Sequence, residues 1–238
     1  MNSYELNELA IRFRGDLGIN YDSPIDFFSV IPNKLKNLTI SFLNMDTRIS
    51  GACCKLKNQQ IIFINSNHPK GRQAFTSAHE IYHLLYDDSN FTICNINSSD
   101  KMEREANEFA SYLLMPINAL YQYKKENKIE KWDLNAIIDC EQYFQISHGG
   151  LLYRLKKSGE ISSYEYDLFL PNIIQNAKLR GYDSNLYQPY IPKDNYTIGN
   201  YIRLVESVFE KELISNARKE EYLLDAYLSD LVFNMEEL

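Results

Sequence analysis

Apolar and polar positions alternate along this chain with a spacing that changes from helical to extended and back. Residues 3–17 place apolar side chains three or four positions apart, which predicts an amphipathic helix, and Pro24 begins a second short helical pattern. Alternating and β-branched residues then favour three strands, at 38–43, 51–57 and 60–64. These segments predict two helices followed by a small antiparallel sheet.

Helical spacing dominates the rest of the chain. Residues 72–86 contain no glycine or proline, and a second amphipathic pattern, which begins near residue 100, ends at Pro116. Further helices are predicted at 118–125, 133–144, 162–180 with a break at Pro171, 198–214 and 217–235. The sequence therefore predicts an α+β first part followed by an all-helical region.

The helix predicted at 72–86 carries His79, Glu80 and His83 in the pattern His-Glu-x-x-His. Histidines four residues apart project from the same face of a helix and can occupy two corners of a tetrahedral zinc site. Glu80 is rotated by about 100° from His79, so its carboxylate can reach a zinc-bound water and accept its proton. The motif predicts metal-assisted hydrolysis, most often of a peptide bond. The alternative is a core helix with two hydrogen-bonded histidines.

A third zinc ligand is predicted on the next long helix. Glu103 shares the inward apolar stripe of that helix, and Asn107 follows one turn later, where it can hydrogen-bond a ligand. Glu105 is the alternative ligand, displaced by about 200° from Glu103. Glu103 has an alternative role as well, because Asp100 and Glu103 have the spacing of a capping box. Helical phase favours Glu103 as the ligand.

Four side chains near the motif are candidates for stabilising the oxyanion that forms during peptide-bond hydrolysis: Tyr82, Tyr86, Tyr112 and His68. The sequence does not choose among the three tyrosines. His68 lies in the loop before the motif helix, where a solvated histidine is the commoner case.

Several separate motifs, in the right order, resemble the ImmA/IrrE family of metallo-endopeptidases. The resemblance rests on residues 75–83, on the run Glu-Arg-Glu-Ala-Asn-Glu-Phe-Ala that begins at Glu103, and on the Leu-Leu-Met-Pro that ends at Pro116. Pro24-Ile-Asp and residues 61–65 also fit the family pattern. The resemblance covers roughly the first half of the chain.

Members of that family are bacterial and phage-borne proteins known for cleaving helix-turn-helix repressors that silence mobile elements or stress genes. The resemblance therefore implies a zinc endopeptidase whose protein substrate is such a repressor, encoded nearby. It implies zinc ligation by His79, His83 and Glu103, with Glu80 as the general base. The chain departs from the family at Tyr82, where many members have glycine.

The two halves of the chain are predicted to differ in role. Residues 1–120 are expected to form a zincin-like metallopeptidase core, in which an edge strand pairs with an extended substrate. Residues 121–238 are expected to be helical, with a helix-turn-helix-like segment at about 144–160. Arg154, Lys156 and Lys157 would allow weak DNA contact through residues 147–157, but the rest of the chain is acidic, which favours core packing for this segment.

Composition limits the remaining possibilities. The 238-residue chain has a net charge of −7 and a pI of about 5.2, which argues against a protein that coats nucleic acid. Its first residues are polar and acidic, unlike a signal peptide, and no apolar run approaches the roughly 18 residues of a membrane span. We therefore expect a cytoplasmic protein. Its four cysteines show no Cys-x-x-Cys spacing and are expected to be free thiols.

A function from a different class competes with the peptidase. The alternative is a regulatory protein that binds a repressor, an antitoxin partner or DNA without proteolysis and keeps a metal only for structure. A structural zinc site normally has four protein ligands, whereas two histidines and one glutamate are evident here. That count favours an open, catalytic site. The sequence leaves the oligomeric state open.

Overall fold

The computed structural model describes residues 1–88, 90–95, 101–191 and 194–233. Within these ranges the chain forms twelve α-helices, one short 3₁₀ helix and one sheet of five strands. In chain order they are α1 Ser3–Asp16, α2 Phe27–Lys34, β1 Leu38–Leu43, β2 Ile49–Leu56, β3 Gln59–Asn65, α3 Lys70–Tyr86, β4 Phe91–Asn95, α4 Lys101–Leu114, α5 Ile117–Glu126, α6 Leu134–Phe144, α7 His148–Lys157, α8 Ser163–Phe169, α9 Ile173–Leu179, the 3₁₀ helix Asn185–Tyr187, β5 Tyr196–Gly199, α10 Asn200–Glu210, α11 Asn216–Asp225 and α12 Ser229–Val232.

The predicted α+β class is confirmed, but the sheet is mixed rather than antiparallel throughout. Its strand order is β4-β2-β3-β1-β5, and β1 pairs in parallel with β3 while the other neighbours are antiparallel. The reason is that β3 inserts between β1 and β2, so β1 and β3 are separated by two chain reversals and run the same way. Asn65 fixes the first reversal, because its amide donates to the carbonyls of Asp46 at 3.1 Å and Ile49 at 2.8 Å.

Strands β4 and β5 are not among the strands that the sequence predicts. The helix expected at 198–214 begins only at Asn200, because residues 196–199 form β5 and pair with β1. Gly199 ends this strand with φ +99°, and a β-carbon there would lie 2.5 Å from the carbonyl oxygen of Leu38. The pairing partner of β5 is about 155 residues away in sequence, so local periodicity could not indicate it.

The core is continuous across the predicted division of the chain. Helix α3 contacts β2 and β3, and α4 packs against both α1 and α3. Arg14 is fully buried and joins α1 to the end of α4 by donating to the carbonyl of Leu113 at 2.7 Å. The same hydrophobic cluster includes Trp132 and residues of α6 and α7. The boundary at residue 120 therefore stays a prediction, and any division there would separate groups that share one core.

The helix-turn-helix-like segment is a hairpin of α6 and α7. Ser147 caps α7 by accepting from the backbone of Gly150, as its sequence position suggests. A β-carbon on Gly71, at the start of α3, would lie 2.8 Å from the backbone nitrogen of Ser147, so the hairpin packs closely against α3. Arg154 does not lie on an open face, because it is buried under α4. This residue is therefore removed from the predicted DNA-contacting surface.

Among the described residues, no helix combines the length and the apolar run that crossing a membrane requires.

Candidate metal centre

Helix α3 places His79, Glu80 and His83 in the interior. The helix is amphipathic over 17 residues, and its apolar face packs on the sheet, so the motif lies where the helix meets β2 and β3. All three side chains are buried. The spacing of four residues brings the Nε2 atoms of the two histidines to 3.1 Å from each other.

Helix α4 supplies the third predicted ligand. Glu103 lies in its first turn and is buried, and its Oε2 is 3.3 Å from Nε2 of His79 while its Oε1 is 3.3 Å from Nε2 of His83. Zinc–nitrogen bonds of about 2.05 Å in a tetrahedral site would place neighbouring ligand atoms about 3.3 Å apart. Within the described residues, His79, His83 and Glu103 form a group with this ligand spacing. Asp100, the predicted cap of α4, lies outside the described residues.

The outer ring nitrogens of both histidines face acceptors. Nδ1 of His79 lies 3.0 Å from Oδ1 of Asn107, and Nδ1 of His83 lies 3.2 Å from Oδ2 of Asp87. Because amide and carboxylate oxygens accept hydrogen bonds, the neutral form of each ring carries its proton on Nδ1 and presents the lone pair of Nε2 inward. Two lone pairs and the carboxylate of Glu103 therefore converge on one point. Such a set is repulsive unless a cation lies among its members.

The electrostatics of the three groups fit this description. Burial alone would raise the pKa of Glu103, but His79 and His83 donate hydrogen bonds to it when they are also protonated on Nε2, and this outweighs burial and holds that pKa at about 2. Burial alone would lower the pKa of His83, but its hydrogen bond to Glu103 and the negative charges around it raise the pKa above its ordinary value. The site thus favours positive charge, which a bound proton or a metal cation can supply.

Comparison with known protein families gives one match to this part of the chain. The profile of the peptidase M78 family, described as the IrrE N-terminal-like domain, matches residues 33–156, which is slightly more than half of the 238 residues. The chain belongs to this family. The family is of the metallopeptidase type and is typically metal-dependent. The matched range contains α3, α4 and the α6–α7 hairpin, so the motif and the segment that packs against it belong to one family domain.

Comparison with solved structures gives a more distant similarity. A Mycobacterium tuberculosis transcriptional regulator is 15% identical, with a TM-score of 0.44, over 64% of this chain and 46% of that chain. This chain therefore spans less than half the length of that regulator. A comparison with curated proteins gives no match.

The alternative ligand Glu105 has other partners. Its Oε2 accepts from the hydroxyl of Tyr82 at 2.8 Å, and its Oε1 lies against the amino group of Met1. Its carboxylate is therefore turned to a different side of α4 from Glu103. The same contact orients Tyr82, whose buried ring packs at 5.4 Å from the ring of Phe109 and edge-on against His83 at 6.1 Å. In this IrrE-like domain the bulky Tyr82 is thus part of the core beside the site.

The predicted oxyanion donors lie in three different places. Tyr82 and Tyr86 stack on each other with ring centres 5.1 Å apart, and the hydroxyl of Tyr82 is used by Glu105. Tyr112 lies under Arg154, whose guanidinium carbon is 4.9 Å from its ring centre. His68 is buried rather than solvated, and burial together with the charge of Arg72 lowers its pKa to about 4. None of these four belongs to the His79–His83–Glu103 group, and the oxyanion role of each stays a prediction.

Three residues around the site were not predicted from sequence. Asp87 orients His83, and their separation of four residues would have indicated this contact. Gly51 of β2 lies beside Glu80, since a β-carbon at position 51 would be 3.1 Å from Oε1 of Glu80. Cys53, two residues on, is buried; burial and the nearby carboxylate of Glu80 raise the pKa of its thiol. These two contacts cross between sheet and helix, and no local sequence signal marks them.

Proposed function

We propose that this protein is a zinc-dependent endopeptidase that cleaves a helix-turn-helix transcriptional repressor and thereby derepresses mobile-element or stress-response genes. The observation that carries the proposal is the convergence of two imidazole lone pairs and the carboxylate of Glu103, with Glu80 beside them on α3. Family membership supports the peptidase class. The repressor as substrate rests on the resemblance to ImmA/IrrE proteins.

The donor set is one that zinc binds in enzymes. Two imidazoles and one carboxylate are typical of catalytic zinc sites, and three protein ligands leave a coordination position for water or substrate. Bound zinc would lower the pKa of its water to about 7 and polarise the scissile carbonyl. Asn107 and Asp87 would hold the two imidazoles in the required tautomer, as partners of metal-bound histidines commonly do.

Glu80 is the proposed general base. It neighbours His79 in sequence, and its carboxylate lies between α3 and β2, in the space left by the missing side chain of Gly51. From there it would accept a proton from the attacking water and deliver it to the leaving amide nitrogen. The two proton transfers need one carboxylate in a fixed position, which the close packing of Gly51, Thr76 and Glu80 would provide.

Strand β4 offers a place for an extended substrate. It stands at the edge of the sheet and pairs with β2, the strand that carries Gly51. A peptide that adds to this edge would gain backbone hydrogen bonds whatever its side chains are. A segment of a repressor would have to be extended, or become extended, to bind in this way.

The proposal is tested by incubating the purified protein with the repressor encoded next to its gene, beside a Glu80→Gln variant. Each protein is assayed for zinc content and for cleavage of the repressor. We expect zinc in both proteins and cleavage by the wild type alone, because glutamine can fill the same space but cannot accept the proton. Zinc in both with no cleavage by either would favour the regulatory protein that binds without proteolysis. Absence of zinc from both would overturn the metal site itself.

A further inference from the structure

A pocket of about 400 Å³ lies beside the candidate metal centre, between α4 and α7. Its volume is within the range of about 300–1,000 Å³ that is usual for ligand pockets. Phe75, one turn before His79 on α3, forms part of its wall. Asn107 is shared with the metal centre, because it lines the pocket and also contacts His79 at 3.0 Å. A group bound in the pocket would therefore be separated from the candidate metal centre by the side chain of Asn107.

The pocket is positively charged in a chain that is acidic. Arg104, Arg154 and Lys157 line it together with one carboxylate, Glu108, which gives a formal charge of +3 − 1 = +2. The whole chain has a net charge of −7. Glu108 is already paired with Lys157 and accepts a hydrogen bond from Ser3 at 2.6 Å. The lining of the pocket therefore has more cationic than anionic side chains.

Arg154 is a buried cation without a carboxylate partner among the described residues. Its Nη1 donates to the carbonyls of Ser111, at 2.9 Å, and Met115, and so caps the end of α4. Its Nη2 is buried and has no hydrogen-bond partner in the part of the chain that the structure describes. Burial lowers the pKa of Arg154 only to about 10, so it stays charged at neutral pH. An uncompensated buried charge is costly, and an anion close by would offset that cost.

The aromatic residues of the pocket add a further constraint. Tyr112 lies under the guanidinium of Arg154, and Tyr153 and Phe75 provide apolar surface on other sides of the pocket. A carboxylate on a short aliphatic stem would match this combination, because the charged end meets the arginines while the stem covers the rings.

We propose that this pocket binds an acidic side chain of the protein substrate, aspartate or glutamate, close to the scissile bond. The inference rests on the proposed peptidase function, and it deepens that function by naming what the enzyme selects. Arg104 and Lys157 would be the specificity-determining residues at the mouth of the pocket, with Arg154 providing the buried charge. The shared wall at Asn107 places the acidic residue within a few positions of the bond that is cut.

The first test profiles the full-length zinc protein on a library of peptides from an unrelated proteome, with cleavage sites read by mass spectrometry. We expect aspartate and glutamate to be favoured about tenfold over asparagine and glutamine at one position within a few residues of the cut. Tenfold corresponds to about 1.4 kcal/mol, which is below the usual strength of a hydrogen bond to a charged group. In an Arg104→Gln/Lys157→Gln double variant, cleavage should continue but the acidic preference should fall to about twofold or less.

A matched control is available on the same helix. Lys156 is exposed next to Lys157 but faces Tyr166, at 5.0 Å, and does not line the pocket. Lys156→Gln should therefore keep the acidic preference of the wild type. None of the three substitutions, Arg104→Gln, Lys157→Gln and Lys156→Gln, removes a helix cap or a buried group, so the variants should fold. A wild type that cuts with no acidic preference, or a double variant that keeps the full preference, would overturn the inference.

A second test does not depend on proteolysis, so that failure of the pocket and failure of the proposed function can be told apart. Fluorescein-labelled hexaglutamate and hexaglutamine peptides are titrated with the protein at low salt, and binding is followed by anisotropy. The wild type should bind hexaglutamate about tenfold more tightly, and the double variant should lose that difference. Equal binding of the two peptides would overturn the inference even if repressor cleavage is found. The inference would also be overturned if the wild type bound a labelled DNA duplex more tightly than hexaglutamate and the double variant did not bind the duplex.

Discussion

Gly51 on β2 and Glu80 on α3 share one small space. A β-carbon on Gly51 would lie 3.1 Å from Oε1 of Glu80, 2.8 Å from the carbonyl oxygen of Phe63 and 2.7 Å from Cγ2 of Thr76. Two of these three atoms belong to rigid surroundings, and the third is the proposed general base. The lack of a side chain at position 51 is therefore a condition for the observed position of the Glu80 carboxylate.

The first prediction follows from this contact. In Gly51→Ala the new methyl group should displace Glu80, and a misplacement of about 1 Å in a reacting group can cost about a hundredfold in rate. We expect kcat for repressor cleavage to fall about ten- to a hundredfold while zinc content is unchanged. Gly149→Ala is the control, because a β-carbon there would meet no atom within 4 Å. Unchanged kcat in Gly51→Ala would mean that Glu80 does not need this position.

The residues of the proposed site divide by how they could be predicted. His79, Glu80 and His83 follow from spacing on one helix, and Glu103 follows from the phase of a second helix, because both periodicities are local. Gly51 could not be predicted as a neighbour of Glu80, since the contact joins residues 29 positions apart through the packing of α3 on β2. Local periodicity thus indicates the proposed ligands, and the tertiary fold determines what surrounds them.

The same distinction holds for the fold. The sequence predicts both β1 and β3 as strands, but it does not predict that they pair in parallel, because parallel pairing depends on how the chain reverses between them. Arg154 shows where the sequence leaves a choice that the fold decides. Its segment allows either weak DNA contact or core packing, and Arg154 itself packs in the interior, where it donates to the carbonyls at the end of α4.

The second prediction separates the two candidate ligands on α4. Glu103→Gln should lower zinc affinity by at least about a hundredfold, because it removes the negative charge of a carboxylate whose two oxygens each lie 3.3 Å from one of the imidazoles. Glu105→Gln should leave zinc affinity within about threefold of the wild type, because Glu105 is occupied by Tyr82. The measurement is competition for zinc with a chromophoric chelator. A reversed order of the two effects would assign the ligand role to Glu105.

The third prediction concerns the partner of His83. Asp87→Ala removes the acceptor 3.2 Å from Nδ1 of His83, and loss of such a partner typically costs about ten- to a hundredfold in metal affinity. The neighbouring Asp88 is exposed, so Asp88→Ala provides a control that makes the same change in net charge. Chelator competition on both variants gives the comparison. Equal zinc affinity of the two variants would show that the ring of His83 is oriented without Asp87.

The fourth prediction is a pH dependence of stability that comes from His68. Its folded-state pKa is lowered from 6.5 to about 4, chiefly by burial, so between those values the unfolded chain binds a proton that the folded chain does not. The contribution of His68 to the free energy of unfolding is therefore complete above about pH 6.5 and is lost as pH falls towards 4. The slope from this one group is at most about 1.4 kcal/mol per pH unit.

Urea unfolding of the chelator-treated protein at several pH values between 7.5 and 5 measures this dependence. His68→Gln has no proton to bind at this position, so its free energy of unfolding should fall less steeply than that of the wild type. The other carboxylates and histidines titrate alike in both proteins and cancel in the difference. Parallel curves for the two proteins would mean that His68 is not a buried neutral imidazole.

The fifth prediction concerns a buried network that ties the C-terminal segments to the α6–α7 hairpin. Glu141 of α6 accepts from Nδ1 of His148 at 2.6 Å and from the hydroxyl of Tyr187 in the 3₁₀ helix. Nε2 of His148 lies 3.0 Å from the carbonyl oxygen of Phe169, so both ring nitrogens face acceptors. Glu141→Leu would leave these donors buried without a partner. Breaking a buried pair in this way typically costs about 3–5 kcal/mol of unfolding free energy.

Tyr187→Phe removes only one donor and should cost about 1–3 kcal/mol, whereas Tyr164→Phe, at a side chain that is 75% exposed, should cost about 0.5 kcal/mol or less. Urea unfolding of the three variants tests this order.

The network also bears on the proposed site, because the segment after the 3₁₀ helix holds the start of α3. The backbone of Lys70 donates to Gln188 at 2.6 Å, and that of Tyr190 to the side chain of Gln73 at 2.9 Å. Loosening this segment in Tyr187→Phe should therefore lower repressor cleavage as well as stability, and cleavage equal to the wild type would show that α3 is held in place without it.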